Sequence, residues 1–481
     1  MRVKAPCRSR ADGAWAGSLC RPVVRGYPRL LADGSFAPLV GAAKRRGMTA
    51  GRNREDGLAT NGTSPAPGAQ FALELFETVR AMSADTNGVS RPSYGDVESR
   101  VLDHLRGVAG SLGLAAEFDP AGNLWMRRPG RDRGAAALVT GSHADSVPRG
   151  GNYDGLAGIV AGLVVARRLR DEARETLRDY AVLALRAEES AWFGKPYLGS
   201  AALLGRLTEA DLALKHRDTG FPLAFYMREA GAEPARLALG RPLVDPARIA
   251  AFVELHIEQG PTLDEAQAPV GIVTGIRGNV RHLQVRCLGE AGHSGAVPKR
   301  LRHDPVLATA DLFSRIEEAW QEWLRDGHDL VFTAGVVQTN PATHAVSVIP
   351  GEVAFSLEAR SLARATIDDF HTAIRAECDA IGRARGVRFE FDPPIVSEPA
   401  VLDAGLTRRL ARAADAAGLS YMRLASGAGH DAALFANAGI PTGMIFVRNA
   451  NGSHNPDEAM EIEDFMHGVE ILYEAVTKGA K

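Results

Sequence analysis

Three histidines and two carboxylates recur at comparable places in this chain of 481 residues, four of the five just past a short apolar run. Ala135–Thr140 runs into Gly-Ser-His143-Ala-Asp145-Ser, and Tyr180–Leu185 into Arg-Ala-Glu188-Glu189-Ser. Ile249–Leu255 runs into His256-Ile-Glu258-Gln259-Gly, and Thr442–Val447 into a loop that carries His454. Asp154, in Gly-Gly-Asn-Tyr-Asp154-Gly, stands where a helical pattern begins, a place that favours Asp as an N-cap. Imidazoles and carboxylates together suit divalent transition metals. Five donors are too many for one tetrahedral ion and suit two ions sharing a bridging carboxylate, a pair able to polarise a carbonyl and activate water at neutral pH. A lone histidine after a strand is ordinarily a hydrogen-bonded surface residue, so the argument rests on the coincidence of all five.

The neighbours of these residues suggest further roles. With Glu189 on a metal, Glu188 is free to act as a general base, although a solvated acidic pair at a strand end is common. Asp145 could accept the second imidazole N–H of His143 and so fix its tautomer. His430-Asp431 lies in a Gly-rich turn ahead of a helix expected to begin near Ala432. Such a turn can offer backbone N–H groups to an anion, or can need small residues only for close approach.

The elements that must position these groups follow from the apolar periodicity. Phe71, Leu75, Val79 and Met82, then Val97, Val101, Leu105 and Val108, recur at helical spacing. The apolar runs named above have strand length, as does Asn123–Met126, and helical patterns such as Leu156–Leu169 separate several of them. Short apolar strands alternating with helices predict an α/β fold with a mostly parallel sheet, whose carboxyl edge is where ligands bind. After Gly275 the pattern changes: Val280–Leu288, Val331–Gln338 and Glu352–Ala359 read as strands, and Pro305–Leu324 and Ala365–Ala384 as helices. These predict an inserted α+β domain. The expected organisation is a leader over residues 1–68, a catalytic domain in two parts, 69–276 and 392–481, and the insert over 277–391.

At this point the chain resembles the M20 metallopeptidase superfamily, and within it the hydantoinase/carbamoylase family of amidases. The resemblance is carried by Gly-Ser-His143-Ala-Asp145-Ser, Gly-Gly-Asn-Tyr-Asp154-Gly, Glu188-Glu189-Ser and Glu254-Leu-His256-Ile-Glu-Gln259-Gly-Pro. Gly292-His293-Ser-Gly, Ser426-Gly-Ala-Gly-His430-Asp431-Ala and Ser453-His454-Asn-Pro add to it, over roughly Phe71 to Tyr473. It implies two divalent ions per subunit (Zn, Mn, Co or Ni), one held by His143, Asp154 and His256, the other by Asp154 as bridge, Glu189 and His454. It implies Glu188 as general acid/base, Gln259 on the amide or ureido group, and the insert as a lid and homodimerisation domain. It implies His293 as stabiliser of the developing oxyanion, from its own or the partner subunit. The family's lid Asn is replaced here by Ser347, while its carboxylate-binding Arg is present as Arg360. A hydroxyl offers one short donor where the amide offered more reach, whereas Arg360 keeps a bidentate fork. For Arg360 a structural salt bridge is the plain alternative, and His430 is a further candidate for substrate binding. The implied activity is hydrolysis of a linear C–N bond in an N-carbamoyl-L-amino acid or a related ureido acid. The alternatives are allantoate or ureidoglycolate hydrolysis, or an acyl-amino-acid amidase or peptidase.

The composition is compatible with this and narrows it. With 56 basic and 58 acidic residues the chain gives no reason to expect nucleic acid or an anionic membrane as partner. Residues 1–47 are the exception, with a net charge of +8 against −10 for the rest. That stretch is expected to be disordered; it is Arg-rich and acid-poor like a transit peptide, and equally fits a gene start placed too early, with Met48 as the initiator. Four cysteines without a CxxC pair form no disulfide or zinc-finger framework and point to a reducing compartment, the cytoplasm.

Overall fold

The computed structural model describes residues 68–478. All of the expected leader but Gly68 lies outside the described residues. The main elements, in chain order, are α1 (Ala69–Ser83), α2 (Asp96–Ser111), β1 (Ala115–Phe118), β2 (Leu124–Arg128), β3 (Ala137–His143), α3 (Leu156–Asp171), β4 (Tyr180–Leu185), β5 (Ile249–Ile257), β6 (Val270–Ile276) and β7 (Gly278–Leu288). There follow α4 (Pro305–Arg325), β8 (Val331–Thr333), β9 (Val337–Thr339), β10 (Glu352–Ser361), α5 (Arg364–Arg385), β11 (Arg388–Glu390), β12 (Ile395–Ser397) and β13 (Ala400–Val401). The last are α6 (Ala404–Ala416), β14 (Tyr421–Ser426), α7 (Asp431–Ala436), β15 (Thr442–Val447) and α8 (Ile462–Lys478).

The larger sheet has nine strands in the order β13-β6-β15-β5-β3-β4-β2-β1, with β14 on the free side of β6. Its four middle strands, β15, β5, β3 and β4, are mutually parallel. They are also the four whose ends carry the candidate ligands, so parallel pairing brings four carboxyl ends to one edge. Their sequences explain the placement. Tyr180–Leu185 is apolar at every position and buried throughout, as expected of a strand covered on both faces. Helix α3 packs against this sheet so closely that a Cβ on Gly158 would stand 2.4 Å from the Leu255 carbonyl oxygen. Gly158→Ala therefore forces helix and strand apart. It should cost about 1–3 kcal/mol, as overpacking of a tight core does, read as a lower midpoint in urea unfolding.

The smaller sheet is antiparallel and has six strands. β8, β10, β7 and β11 lie in that order, with β9 also on β10 and β12 also on β7. One face packs on α4 and α5: Val285, Cys287, Phe355 and Leu357 bury against Leu312, Ile316, Phe370 and Ile374. The other face of β7, β10 and β12 carries Asn279, Arg281, Glu358, Arg360 and Ser397, and Asn279 is paired in register with both Arg360 and Ser397.

Three expectations need correction. Val331–Gln338 is not one strand. β8 and β9 both pair with β10, but Phe332 to Val337 spans one residue more than Ala359 to Phe355 opposite, and the surplus is taken up around Gly335. Asp154 is not an N-cap: Gly155, with φ 66°, is the residue before α3 and no side chain caps that helix. The helix after His430 begins at Asp431, near the expected Ala432, but the turn is not open to a ligand anion there: its Ala432 N–H is already given to Glu254 Oε2 at 2.8 Å. The anion at this helix end is thus one of the protein's own carboxylates.

Candidate metal centre and active site

His143 ends β3 and His256 lies near the end of β5, the neighbouring parallel strand. Both are buried. Each Nδ1 sits on a backbone carbonyl, of Asp145 at 3.1 Å and of Ile257 at 2.9 Å, and therefore carries the hydrogen. The two Nε2 atoms face one another at 3.4 Å, and that of His256 also lies 3.1 Å from the Gly155 N–H. Asp154 Oδ1 lies 3.4 Å from one and 3.2 Å from the other. It is buried and has no hydrogen-bond partner. Two imidazole nitrogens and a carboxylate oxygen converging in a buried place are the donors a divalent transition metal takes, so this set fits such an ion. Gly155 makes room for the cluster, since a Cβ there would fall 2.4 Å from the His143 ring.

A second group shares Asp154. Its Oδ2 is 3.4 Å from His454 Nε2, which is also 3.4 Å from Glu189 Oε1. Asp154, Glu189 and His454 thus offer another three-donor set with the same carboxylate in common. His454 is the exposed member, on the loop after β15, and hydrogen bonding to Asp154 raises it to about 9. Burial raises Glu189 to about 7, with Asp154 adding to the rise. A third trio, Glu254, His256 and His430, also lies close enough to share an ion. Its two other members are already satisfied, and His256 belongs to the first group: Glu254 accepts from Ser142 Oγ and Ala432 N, and His430 Nε2 is 2.9 Å from Ser426 Oγ.

Glu188 follows β4 and makes no ligand contact of this kind. Its Oε2 is 4.0 Å from His143 Nε2, and burial pushes its carboxyl well above the usual range. Asp145 serves it from behind. The Asp145 carboxylate accepts the backbone N–H groups of Glu188 and Glu189, each at 3.1 Å, and the Ser93 hydroxyl at 2.6 Å. It stands 3.4 Å from His143 Nδ1, farther than its own backbone carbonyl. One residue thus fixes both the ring and the acidic pair.

The cavity in front of these groups has a volume of about 140 Å³. Gln259 lines it with φ 66°, donates Nε2–H to Asp154 Oδ2 at 2.8 Å, and leaves its own Oε1 without a partner. His430 lines it too, beside His256. Arg360 reaches it from β10, with one Nη on the Gly427 carbonyl at 2.7 Å and the other on Glu358 at 3.0 Å. The salt bridge and the exposure to the cavity are therefore both present. His293 and Ser347 do not line the cavity; both are exposed, and Ser347 accepts the Ser294 N–H beside the short ribbon formed by Gly292–His293 and Val348–Ile349.

Other residues at the centre were given no role from the sequence. Ser453 bridges Asp154 and Glu458, whose Oε1 in turn accepts the N–H groups of Tyr153 and Asp154. Arg91, fully buried, ties the Ala144 carbonyl to Asn152. Asn279 and Arg281 enter the cavity from β7. They alternate along one strand, the only trace a sequence could show of them, and nothing local tells which way that face looks.

Comparison with known proteins agrees with this geometry. Residues 139–478 match peptidase family M20/M25/M40. The chain is 36% identical over 411 residues to an N-carbamoyl-L-amino acid amidohydrolase of Geobacillus stearothermophilus, covering 85% of this chain and 98% of that one. It is 34% identical over 406 residues to an allantoate amidohydrolase of Escherichia coli, covering 84% and 96%. Among solved structures, a hydantoinase/carbamoylase family amidase from Burkholderia ambifaria superposes with a TM-score of 0.77 at 30% identity, covering 86% of this chain and 98% of that one.

Proposed function

Given that the chain belongs to peptidase family M20/M25/M40, and within it to the hydantoinase/carbamoylase amidases, we propose that it hydrolyses the linear C–N bond of an N-carbamoyl-L-amino acid or a related ureido acid. The observation that carries the reading is the pair of three-donor groups joined at Asp154, with Glu188 free beside them. His143, Asp154 and His256 would hold one ion, and Asp154, Glu189 and His454 the other. When bound, the two ions supply Lewis acidity towards the carbonyl oxygen and the attacking water.

The chain's own groups do the rest. Glu188 takes a proton from the attacking water and returns it to the leaving nitrogen; its buried, uncoordinated carboxyl favours holding that proton in between. Gln259, with its free Oε1, takes an N–H of the ureido group. Arg360 binds the substrate carboxylate; Glu358 offsets part of its charge together with that of Arg281. A carbamoyl substrate leaves as the amine, ammonia and carbon dioxide.

The smaller sheet and its two helices act as the lid and as the contact between two copies. Val336, Val337 and Val346 are exposed on its outer edge and loop, which supports such a contact. A second copy, or closure of the lid, brings His293 and Ser347 to the substrate. Among the described residues no helix is long and apolar enough to cross a membrane. Cys287 and Cys378 are buried thiols without a bond to one another, which suits a reducing compartment, the cytoplasm. The test is a panel of N-carbamoyl amino acids, allantoate, ureidoglycolate and N-acyl amino acids given to metal-loaded protein. Release of ammonia from the ureido acids is expected; release only of carboxylic acid from acyl substrates would make the chain an acyl-amino-acid amidase.

A further inference from the structure

Two carboxamide oxygens in the cavity are buried and unpaired, and only one has been accounted for. Gln259 Oε1 is the first. The second is Oδ1 of Asn279, on the opposite wall, a residue only 6% exposed. Leaving a buried acceptor unmatched costs about 1–3 kcal/mol, so an acceptor kept bare inside a binding cavity calls for a donor in the ligand.

The surroundings of Asn279 explain why nothing in the chain fills that need. Its strand neighbours on this face are Ser397 on β12 and Arg360 on β10. Arg360 is turned to Glu358 and to the Gly427 carbonyl. Arg281, two residues along β7 and on the same face, is also held by Glu358. Both guanidinium groups beside Asn279 are thus engaged, and its carboxamide is the acceptor left over. The carboxylate of a substrate has no hydrogen to offer such a group. A ureido unit has N–H groups on both sides of its carbonyl, whereas an acyl amide has them on one side only.

We propose that Asn279 is a specificity-determining residue, accepting an N–H from the substrate so that it and Gln259 together serve both nitrogens of an N–CO–N unit. This rests on the ureido-acid reading of the site. It makes the cavity selective for ureido acids over acyl amino acids of the same shape, by hydrogen-bond count rather than by size.

Two near-isosteric analogues remove one N–H side each. N-Acetyl-L-alanine replaces the terminal NH2 of N-carbamoyl-L-alanine by CH3, and the Nα-methyl derivative blocks the other nitrogen. The three compounds are compared on the metal-loaded full chain and on its Asn279→Ala and Asn279→Asp variants, as kcat/KM, or as inhibition constants where allantoate or ureidoglycolate is the compound hydrolysed. The unaltered protein should prefer the carbamoyl compound over each analogue by about 10- to 100-fold, the range a bare buried acceptor implies. Asn279→Ala should bring the preference against one analogue to within about threefold, at unchanged metal content and circular dichroism. Asn279→Asp, which keeps an acceptor, should retain that preference while binding all three acids less well. If both preferences survive in Asn279→Ala, the assignment of Asn279 is overturned although the ureido reading stands. If no ureido acid releases ammonia, that reading falls and takes the subsite with it.

Discussion

Replacing Glu188 by glutamine should lower kcat by about 10²- to 10⁴-fold, the usual worth of a positioned general acid/base, and leave the metal content unchanged. The geometry argues for both halves. Glu188 belongs to neither three-donor group, and its nearest imidazole nitrogen is 4.0 Å away. The amide is isosteric and can neither take nor return the proton. Its backbone N–H stays on Asp145, which also holds Glu189, so the neighbouring ligand keeps its place. The measurement is single-turnover ammonia release beside metal analysis. A variant that loses metal along with activity would make Glu188 a ligand, and one that keeps its turnover would move the base elsewhere.

The Asp154→Asn variant should behave in the opposite way, and its effect is expected on stability as well as on rate. Asp154 is the one residue common to both donor groups. Its Oδ2 accepts from Gln259 Nε2 at 2.8 Å and from the Ser453 hydroxyl at 2.5 Å, and these contacts survive if the asparagine oxygen takes that position. The Nδ2–H group then faces the Nε2 atoms of His143 and His256, where Oδ1 stood. In the metal-free protein, against the cost of burial, hydrogen bonds from His143, His256 and His454 hold the Asp154 carboxyl well below its usual range, so the amide removes an attraction and apo Asp154→Asn should unfold at a lower temperature than the unaltered apo protein. The stabilisation gained on adding metal, about 2.7 kcal/mol at a hundredfold excess over Kd for one site, should be lost. Activity should fall by at least the factor expected for Glu188→Gln. Thermal unfolding with and without added Zn²⁺ or Mn²⁺ reads both effects. A variant equally stabilised by metal would exclude Asp154 from the shared position.

The centre was legible because its ligands sit at the ends of strands that the sequence marks clearly. Tyr180–Leu185 and Thr442–Val447 have the observed bounds, since a short apolar stretch bounded by turn residues, too brief for a helix, reads as a buried strand. Parallel pairing then does the convergence, and His143, Glu189 and His256 follow from it. Asp154 was found for its residue type and misread for its local role, because Gly155 at φ 66° turns the chain before the helix starts. The opposite wall was far less visible. Asn279 and Arg281 lie more than a hundred residues from His143, in another sheet, and reach the cavity only because that sheet turns its polar face towards it. Periodicity tells that Asn279 and Arg281 share a face, but not what the face meets. Ser453 and Glu458 were hidden for a related reason: they act through hydrogen bonds to Asp154 that depend on how one loop folds back.

The most direct test of the account is metal reconstitution. Protein stripped with a chelator and titrated with Zn²⁺ or Mn²⁺ should regain ammonia release from a ureido acid as it binds about two ions per chain, as a pair of sites sharing one carboxylate requires. Undiminished ammonia release from the stripped protein, with no ion bound, would contradict it.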